Sequence, residues 1–319
     1  IMIKKLFLLG LSAFSIAASA AYPDKPITMV VPVPPGGILD AVARMIAPEM
    51  TKILGQPIVI ENKPGAGSSI AAEQVAKSAP DGYTILIASP SSISVNPALS
   101  PKLGYKPSDF QPISKITSSP VVIAVYPGTG INSVKELIAK AKQDPGSLNY
   151  ATSGNGSAPH LAAALFGQVA DVKMTHIPFR GGALAVQSVI AGDTQLIFGT
   201  PPSVLPMVQA GRLKGLAISS RERSPLAPGL PGMREAGLPE YSIEFWYGLF
   251  VPAGTPPEII QKIFDATQVA LKNANLKAAL AREGTDVSTS TSPAAFAKFL
   301  VDDEKFWVKL VKTTEVTVD

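Results

Sequence analysis

Three glycine-containing turns stand between an apolar, β-rich run and a helical pattern, an arrangement that can bind an anion. In the first, the apolar run of residues 27–33 leads into Pro34, Gly36 and Gly37, and Asp40 falls in the first turn of the helical pattern that follows. A helix N-terminus presents N–H groups without helical acceptors at the positive end of the helix dipole, which suits a carboxylate or a phosphate. An ordinary strand-to-helix connection fits the same residues, and this stretch alone leaves both interpretations open.

Two further turns repeat the arrangement later in the chain. A glycine- and serine-rich segment ends at Ser157, a good N-cap, and His160 follows in the first helical turn. The third turn carries Arg180, whose guanidinium can hold a carboxylate through two hydrogen bonds, beside Phe179, which can pack on an apolar ligand. A packed histidine, a surface arginine and a core phenylalanine are the alternatives. The candidate binding residues of these turns are Ser153, Gly154, Gly156, Ser157, His160, Phe179, Arg180 and Gly181.

Hydroxyl side chains follow two further strand patterns. Ser89, Ser91 and Ser92 come after the apolar run 83–88, and Thr200 ends the run 195–200. Ligands bind at the carboxyl ends of parallel strands, so these hydroxyls are candidate ligand contacts, although serine also caps helices and fills turns. The glycine-rich residues 62–69 lack the signature of a phosphate-binding loop and are interpreted as a turn before a capped helix.

Strand and helix patterns alternate from Ile27 onward and predict an α/β fold. Short β-branched runs between amphipathic helices are typical of βα units, so we expect mainly parallel sheets flanked by helices. Two long extended runs, 110–126 and 245–251, separate two such series and predict a hinge between two lobes with a ligand cleft between them. The expected elements are strands 27–33, 57–61, 83–88, 148–152, 173–177, 195–200 and 214–219, and helices 38–54, 68–78, 132–143, 158–168, 183–191 and 203–210, with two amphipathic helices closing the chain.

The first twenty residues have the pattern of a secretory signal peptide. Lys4 and Lys5 form a basic segment, an apolar run follows, and Ala18-Ser19-Ala20 resembles a cleavage site, which predicts a cut after Ala20. No later stretch reaches the roughly 18 uninterrupted apolar residues of a membrane span. We therefore expect an exported, soluble mature chain.

The amino-acid composition argues against several classes of function. The chain has no cysteine, which excludes disulfides and a thiol nucleophile, and its net charge of +4 without a basic cluster argues against nucleic acid. Its two histidines stand in unlike contexts and form no metal-ligand pattern, and no Gly-x-Ser-x-Gly elbow supports an exported serine hydrolase. We expect no metal, no cofactor and no catalysis, with the hydrolase as a remote alternative.

Beyond these turns, the chain resembles the periplasmic solute-binding proteins of tripartite tricarboxylate transporters, the TctC or Bug family. The resemblance covers essentially all of residues 22–319. The matching segments stand in the family's order: 22–27 (YPDKPI), 31–37 (VPVPPGG) with Asp40, 62–67 (NKPGAG), 80–84 (PDGYT), 150–157 (YATSGNGS) with His160, 178–182 (PFRGG) and 246–256 (WYGLFVPAGTP).

The resemblance implies a two-lobed Venus flytrap fold that captures a small carboxylate in its cleft. It implies lobe boundaries at residues 21–123, 124–243 and 244–319, the first and last segments sharing one lobe. The turn from Pro34 to Asp40 would hold one end of the ligand, partly through ordered waters. Ser89, Ser91 and Ser92 would line the same lobe, and the turns at 153–160 and 179–182 would supply the other.

The resemblance also implies a partner and a location. The expected role is a periplasmic receptor, a monomer by default, that delivers a mono-, di- or tricarboxylate to a membrane permease; a ligand sensor that signals through a partner protein is the alternative. Leu39, Gln195 and Thr200 depart from the family pattern. Leu39 and Thr200 would make the cleft less polar, which would favour an aromatic or longer aliphatic acid.

Overall fold

The computed structural model describes residues 22–100 and 102–314. The predicted signal peptide, residues 1–20, lies outside the described residues. The described chain forms two β-sheets, each covered by helices on both faces, in accord with the expected α/β class. Strands and helices are numbered along the chain.

The first sheet has six strands and is mixed. Its two parallel pairs join β1 to its neighbours on either side, whereas the long strands β4 and β10 pair antiparallel. In spatial order the strands are β11 (Asp286–Val287), β4 (Phe110–Pro120), β10 (Glu244–Pro252), β3 (Thr84–Ala88), β1 (Ile27–Val31) and β2 (Ile58–Asn62). The helices of this lobe are α1 (Ile38–Leu54), α2 (Ser69–Ala76), α3 (Asn96–Leu99), α9 (Pro257–Ala270) and α10 (Ala274–Arg282).

The second sheet has five strands and is also mixed. Parallel pairing is confined to the strands that alternate with helices, and β5 pairs antiparallel with both of its neighbours. In spatial order the strands are β7 (Thr175–Pro178), β6 (Asn149–Thr152), β8 (Leu196–Gly199), β5 (Val122–Val125) and β9 (Lys214–Ile218). The helices of this lobe are α4 (Val134–Gln143), α5 (Ala158–Ala170), α6 (Gly182–Ala191), α7 (Pro201–Gln209) and α8 (Met233–Ala236).

The apolar pattern of the sequence explains how each sheet is buried. In β1, Ile27, Met29 and Val31 pack on one side of the first sheet and Val30 on the other, because successive side chains of a strand point to opposite faces. Helix α1 buries Val42, Ala43, Ile46 and Met50, which recur at helical spacing, against the first of these faces. The core of each lobe therefore consists of two layers, one on each face of its sheet.

The last helix, α11 (Pro293–Thr313), contacts both lobes. Near its start, Phe296 packs with Trp246 and Phe250 of the first sheet. Near its end, Trp307 and Leu310 belong to the apolar cluster of the second lobe. The helix thus spans the junction between the lobes beside the two crossing segments of chain.

Strand directions show which edges of the sheets face each other. The chain leaves the first sheet at the end of β4, which runs parallel to β3 because both are antiparallel to β10. It enters the second sheet at the start of β5, which lies at the carboxyl ends of β6 and β8 because β5 is antiparallel to β8. The carboxyl ends of β1–β3 and of β6–β8 therefore border the same space between the lobes.

One difference from the sequence prediction concerns the sheets, which are mixed rather than mainly parallel. The βα pattern correctly predicts parallel pairing for β1–β3 and β6–β8. The strands β5 and β10 add antiparallel pairs, because each enters its sheet from the side of the other lobe. The predicted hinge position at these strands agrees with where the chain passes between the sheets.

Candidate functional site

The first turn lies between β1 and α1 and is closed by the Asp40 side chain. Gly36 is in the left-handed region (φ +88°), which glycine adopts without strain, and its N–H donates to Asp40 Oδ2 at 2.9 Å. Asn62 Nδ2 donates to Asp40 Oδ1 at 2.8 Å and to the Val33 carbonyl at 3.0 Å. The turn is therefore fixed from β1, β2 and α1 at once.

Arg44 neutralises the Asp40 carboxylate. Its Nε lies 2.9 Å from Asp40 Oδ1, and its Nη2 donates to Asn62 Oδ1 at 2.9 Å. Burial opposes ionisation of Asp40, but hydrogen bonds from Arg44, Gly36 and Asn62 outweigh it and hold the pKa of this carboxyl below its usual range. Asp40 is only 3% exposed, so its side chain is committed to the turn, and Arg44 balances its charge.

The start of α1 offers backbone donors to the space between the lobes. Gly37 N–H donates to the Pro34 carbonyl at 3.2 Å, and hydrogen bonding within the helix begins when Ala41 N–H donates to Gly37. Among the described residues, the N–H groups of Ile38, Leu39 and Asp40 have no protein acceptor. These three donors, rather than that of Gly36, are available to a carboxylate. The Leu39 side chain is buried in the core, so the prediction that it makes the cleft less polar is wrong.

The three candidate serines after β3 differ in position. Residues 91–95 form a π-helical turn that runs directly into α3. Ser91 is partly exposed and Ser89 is 9% exposed. Ser92 is fully buried and its Oγ donates to the Ser89 carbonyl at 3.2 Å, which places it behind the surface of the loop and away from a direct ligand contact.

A neighbouring segment was missed by the sequence interpretation. Residues 65–68 all have positive φ, including Ala66 (+45°) and Ser68 (+81°), and Ser68 makes no side-chain cap for α2. Buried Asn96 donates to the Gly67 carbonyl at 2.5 Å and to Ser69 Oγ at 3.0 Å, which links this segment to the serine loop. The expected helix is present as α2, but the turn before it is a strained left-handed segment held through Asn96, and the predicted side-chain cap is absent at Ser68.

The second-lobe turn after β6 repeats the geometry of the first. Gly156 is also left-handed (φ +66°), and its N–H donates to Nδ1 of His160, four residues later, at 3.1 Å. Ser157 is the N-cap of α5 as predicted: its Oγ accepts from His160 N–H at 3.3 Å and donates to the Gly154 carbonyl at 2.7 Å. His160 is mostly buried and supports the turn from within, as Asp40 does in the first lobe.

The turn after β7 lies against the one after β6. Phe179 N–H donates to the Thr152 carbonyl at 3.0 Å, and the Phe179 ring is half-buried against the second-lobe core. Arg180 is exposed, and its guanidinium has no hydrogen-bond or ion-pair partner within the described residues. Gly181 precedes α6, and the N–H groups of Gly182, Ala183 and Leu184 have no protein acceptor in the described part of the chain. This turn thus combines backbone donors with a guanidinium.

Thr200 stands at a helix start that differs from the others. It is the N-cap of α7, and its Oγ1 lies 3.0 Å from Ser203 Oγ. The next two residues are Pro201 and Pro202, which have no N–H. This turn can offer a hydroxyl to a ligand but not the cluster of backbone donors found at α1 and α6.

Sequence and fold similarity relate this chain to known proteins. A family model described as "Tripartite tricarboxylate transporter family receptor" matches residues 42–316. The protein BugT of Bordetella pertussis is 35% identical over 295 residues, covering 92% of this chain and 90% of BugT. The chain belongs to the tripartite tricarboxylate transporter receptor family.

Solved structures agree with this membership. MatC from Rhodopseudomonas palustris, solved with bound malate, is 33% identical with a TM-score of 0.75, over 91% of this chain and all of that chain. An R. palustris protein solved with adipate is 32% identical with a TM-score of 0.79, over 93% of this chain and 99% of the other. The periplasmic binding protein BugD is 31% identical with a TM-score of 0.75, over 92% and 99%.

These similarities confirm the family and the two-lobed α/β fold expected from the sequence. The family and its neighbours are solute-binding receptors rather than enzymes, which excludes the hydrolase alternative. Within residues 22–100 and 102–314, no helix is long and apolar enough to cross a membrane. In the same part of the chain, no three histidine or acidic side chains come close enough together to hold a metal ion.

Proposed function

We propose that this chain is an extracytoplasmic receptor that binds a small carboxylate between its lobes and delivers it to the permease of a tripartite tricarboxylate transporter. The observation that carries the proposal is the pair of facing sheet edges, each with a helix start whose N–H groups have no acceptor within the described residues. Carboxylate oxygens accept such bonds strongly, because the charge assists them and the helix dipole points the right way.

The proposed contacts come from both lobes. In the first lobe they are the N–H groups at the start of α1 and the hydroxyls of Ser89 and Ser91. In the second they are Ser153, the N–H groups at the start of α6 and the exposed guanidinium of Arg180, which suits a second carboxylate. Dicarboxylates are the favoured class, because relatives of this fold were solved with adipate and with malate.

The remaining sequence expectations belong to the same proposal. The signal peptide would be cut after Ala20, and the mature chain would work in the periplasm as a monomer. The lobes would comprise residues 21–123 with 244–319, and 124–243. Closure of the lobes on the ligand would create the form that the permease recognises, because a ligand that contacts both lobes binds the closed form more tightly.

A thermal-shift screen of the mature chain, residues 21–319, tests the proposal. After unfolding and refolding to remove bound ligand, the chain is heated with adipate, malate, citrate, hexanoate and benzoate. A ligand at a hundred times its Kd stabilises the native state by about 2.7 kcal/mol, which raises Tm by several degrees. A panel that leaves Tm unchanged throughout contradicts carboxylate binding.

The role of Arg180 is tested with two acids of equal chain length. Arg180→Ala should weaken binding of adipate, which carries two carboxylates, about tenfold or more, and of hexanoate, which carries one, much less. Arg212→Ala, which removes another exposed arginine of the second lobe, is the matched control. Equal losses for both acids in calorimetry would show that Arg180 does not contact the second carboxylate.

A further inference from the structure

Both histidines of the chain lie together beneath the second-lobe turn. The rings of His160 and His176 stack with centroids 3.9 Å apart and planes 16° from parallel. His176 also stacks on Tyr150 of the neighbouring strand at 5.0 Å. The sequence pattern assigned His176 no role in ligand binding, yet the fold places it against the support of a binding turn.

Each imidazole holds one part of the turn formed by residues 153–157. His160 Nδ1 accepts the hydrogen bond from Gly156 N–H. His176 Nε2 lies 2.7 Å from Thr152 Oγ1, and the same hydroxyl accepts from Gly154 N–H at 3.3 Å. The two glycines of the turn are therefore fixed through the two histidines, one directly and one through Thr152.

This arrangement requires a neutral ring at His160. At His176, Nε2 can either donate to or accept from Thr152 Oγ1, so that contact alone does not fix the charge of the ring. A proton on His160 Nδ1 would place a donor against the Gly156 N–H, and that hydrogen bond could not form. Protonating both rings would also bring two positive charges together at stacking distance. The geometry is satisfied by the neutral tautomer of His160 that carries its proton on Nε2.

The surroundings provide no negative charge to stabilise a protonated ring. Burial lowers the pKa of His160, and burial followed by the charge of His160 lowers the pKa of His176 to about 4. The titratable groups that face the pair are the rings themselves, from α5 and β7, and Tyr150 from β6, whose pKa burial raises to about 12. Among the described residues, no carboxylate or other cation acts on either ring.

We propose that His176 is a positioning residue for the second-lobe binding turn, and that the neutral His160–His176 pair makes carboxylate binding fall as the medium becomes acidic. The proposal rests on the proposed function, because the turn held by the pair is one side of the ligand site. With the turn formed, the rings titrate below the ordinary histidine value of about 6.5. Support for the turn is complete above that value and is lost as pH falls towards 4.

The test compares pH profiles of affinity between wild type and His160→Asn/His176→Gln. In this variant the Asn amide replaces Nδ1 and the Gln amide replaces Nε2, so both hydrogen bonds remain possible and neither group titrates. Calorimetry with malate at pH 7.5, 5.5 and 4.0 gives the ratio of Kd at pH 4.0 to that at pH 7.5. Titration of malate itself affects both proteins equally, so each protein's ratio is compared with the other's.

The proposal predicts a ratio for wild type about twofold or more above that of the double variant, because a ring with a pKa of about 4 is half protonated at pH 4.0. It also predicts that His176→Ala weakens malate binding at pH 7.5 and that His176→Gln restores most of the loss. Equal ratios for wild type and the double variant overturn the pH dependence. Unchanged affinity in His176→Ala overturns the positioning role.

Nitrogen NMR of the ligand-free wild-type chain provides a second readout that needs neither a variant nor a ligand. Because there are only two histidines, their imidazole signals are assigned by one substitution. The expected result is an Nε2–H tautomer for His160, both rings titrating well below 6.5, and faster exchange of the Gly156 amide once they protonate. Either ring titrating at 6.5 or above overturns the proposal, whereas failure of every carboxylate to bind at pH 7.5 would count against the proposed function instead.

Discussion

The inward orientation of Asp40 accounts for an acidic side chain in a turn that is proposed to bind an anion. Its carboxylate faces inward, accepts from the Gly36 N–H and pairs with Arg44, so its charge is balanced within the protein. His160 performs the same task in the second lobe with an uncharged acceptor. Both turns therefore use the side chain four residues after a left-handed glycine to fix the backbone. The proposed binding donors lie at the start of α1, which follows the first turn, and at the start of α6.

Replacing Asp40 by Asn should destabilise the protein by about 2–3 kcal/mol at pH 7, because an amide cannot accept from Gly36, Asn62 and Arg44 together. Since the pKa of Asp40 is lowered in the native state, its contribution is complete above the ordinary aspartate value of about 3.9. It is lost as pH falls through the lower native value. Urea unfolding at pH 7 and at pH 3 measures both effects.

Asp193→Asn, at an exposed position in the second lobe, is the control for Asp40 and should change stability little. Equal unfolding midpoints for Asp40→Asn and wild type at pH 7 would show that the carboxylate does not hold the turn.

Helix α11 carries a half-buried carboxylate, Asp303, at the junction of the lobes. Asp303 accepts from Trp307 Nε1 at 3.0 Å on its own helix and from Ser94 Oγ at 3.2 Å in the serine loop. Burial raises the pKa of Asp303 to about 6, although hydrogen bonds and the nearby Lys115 favour its ionised form. Helix α11 is thereby connected to both the loop of residues 89–95 and the second-lobe core.

Replacing Asp303 by Asn should remove a pH-dependent loss of folding stability. A carboxyl whose native pKa is raised contributes stability below its unfolded value of 3.8, and the contribution is lost as pH rises through about 6. The stability of Asp303→Asn relative to wild type should therefore increase by about 3 kcal/mol from pH 4 to pH 7. Thermal unfolding at the two pH values measures the change.

Asp302→Asn is the neighbouring control for Asp303, because this side chain is exposed and pairs with Lys305. It should show no comparable increase. A difference between Asp303→Asn and wild type that stays constant with pH would contradict the burial of an ionisable carboxyl at this junction.

Periodic apolar patterns predicted most elements well. The bounds of α1 are those expected, because Gly37 and Gly55 bracket a regular apolar stripe that starts and stops with the helix. The π-helical turn at 91–95 and the left-handed residues 65–68 were not predicted, since both depend on contacts with distant residues. Asn96, which joins them, lies nearly thirty residues from Gly67, and no local pattern indicates that contact.

The candidate site residues also divide into those that a local sequence pattern predicts and those that depend on contacts with distant residues. Sequence reasoning found the helix starts and the N-cap Ser157, because capping chemistry is local. It could not separate side chains that face the cleft from those that support the turns from below, such as Asp40, Ser92 and His160. That distinction depends on which side of the turn is covered by the rest of the lobe.

Across the whole molecule, the proposed ligand binding depends on two facing sets of backbone donors. The first belongs to the start of α1 and the second to the start of α6, on edges that border the same space. Either set alone would bind a carboxylate weakly, because water competes well for exposed donors. Closure of the lobes would bring both sets onto one ligand and exclude that water.

Hydrogen–deuterium exchange of the mature chain with and without saturating adipate tests whether both helix starts bind the same ligand. Peptides covering residues 34–42 and 178–186 contain the two helix starts. We expect adipate to slow amide exchange in both peptides together and to leave the exchange rate at the exposed end of α9 unchanged. Saturable adipate binding that protects only one lobe, or neither peptide, would contradict it.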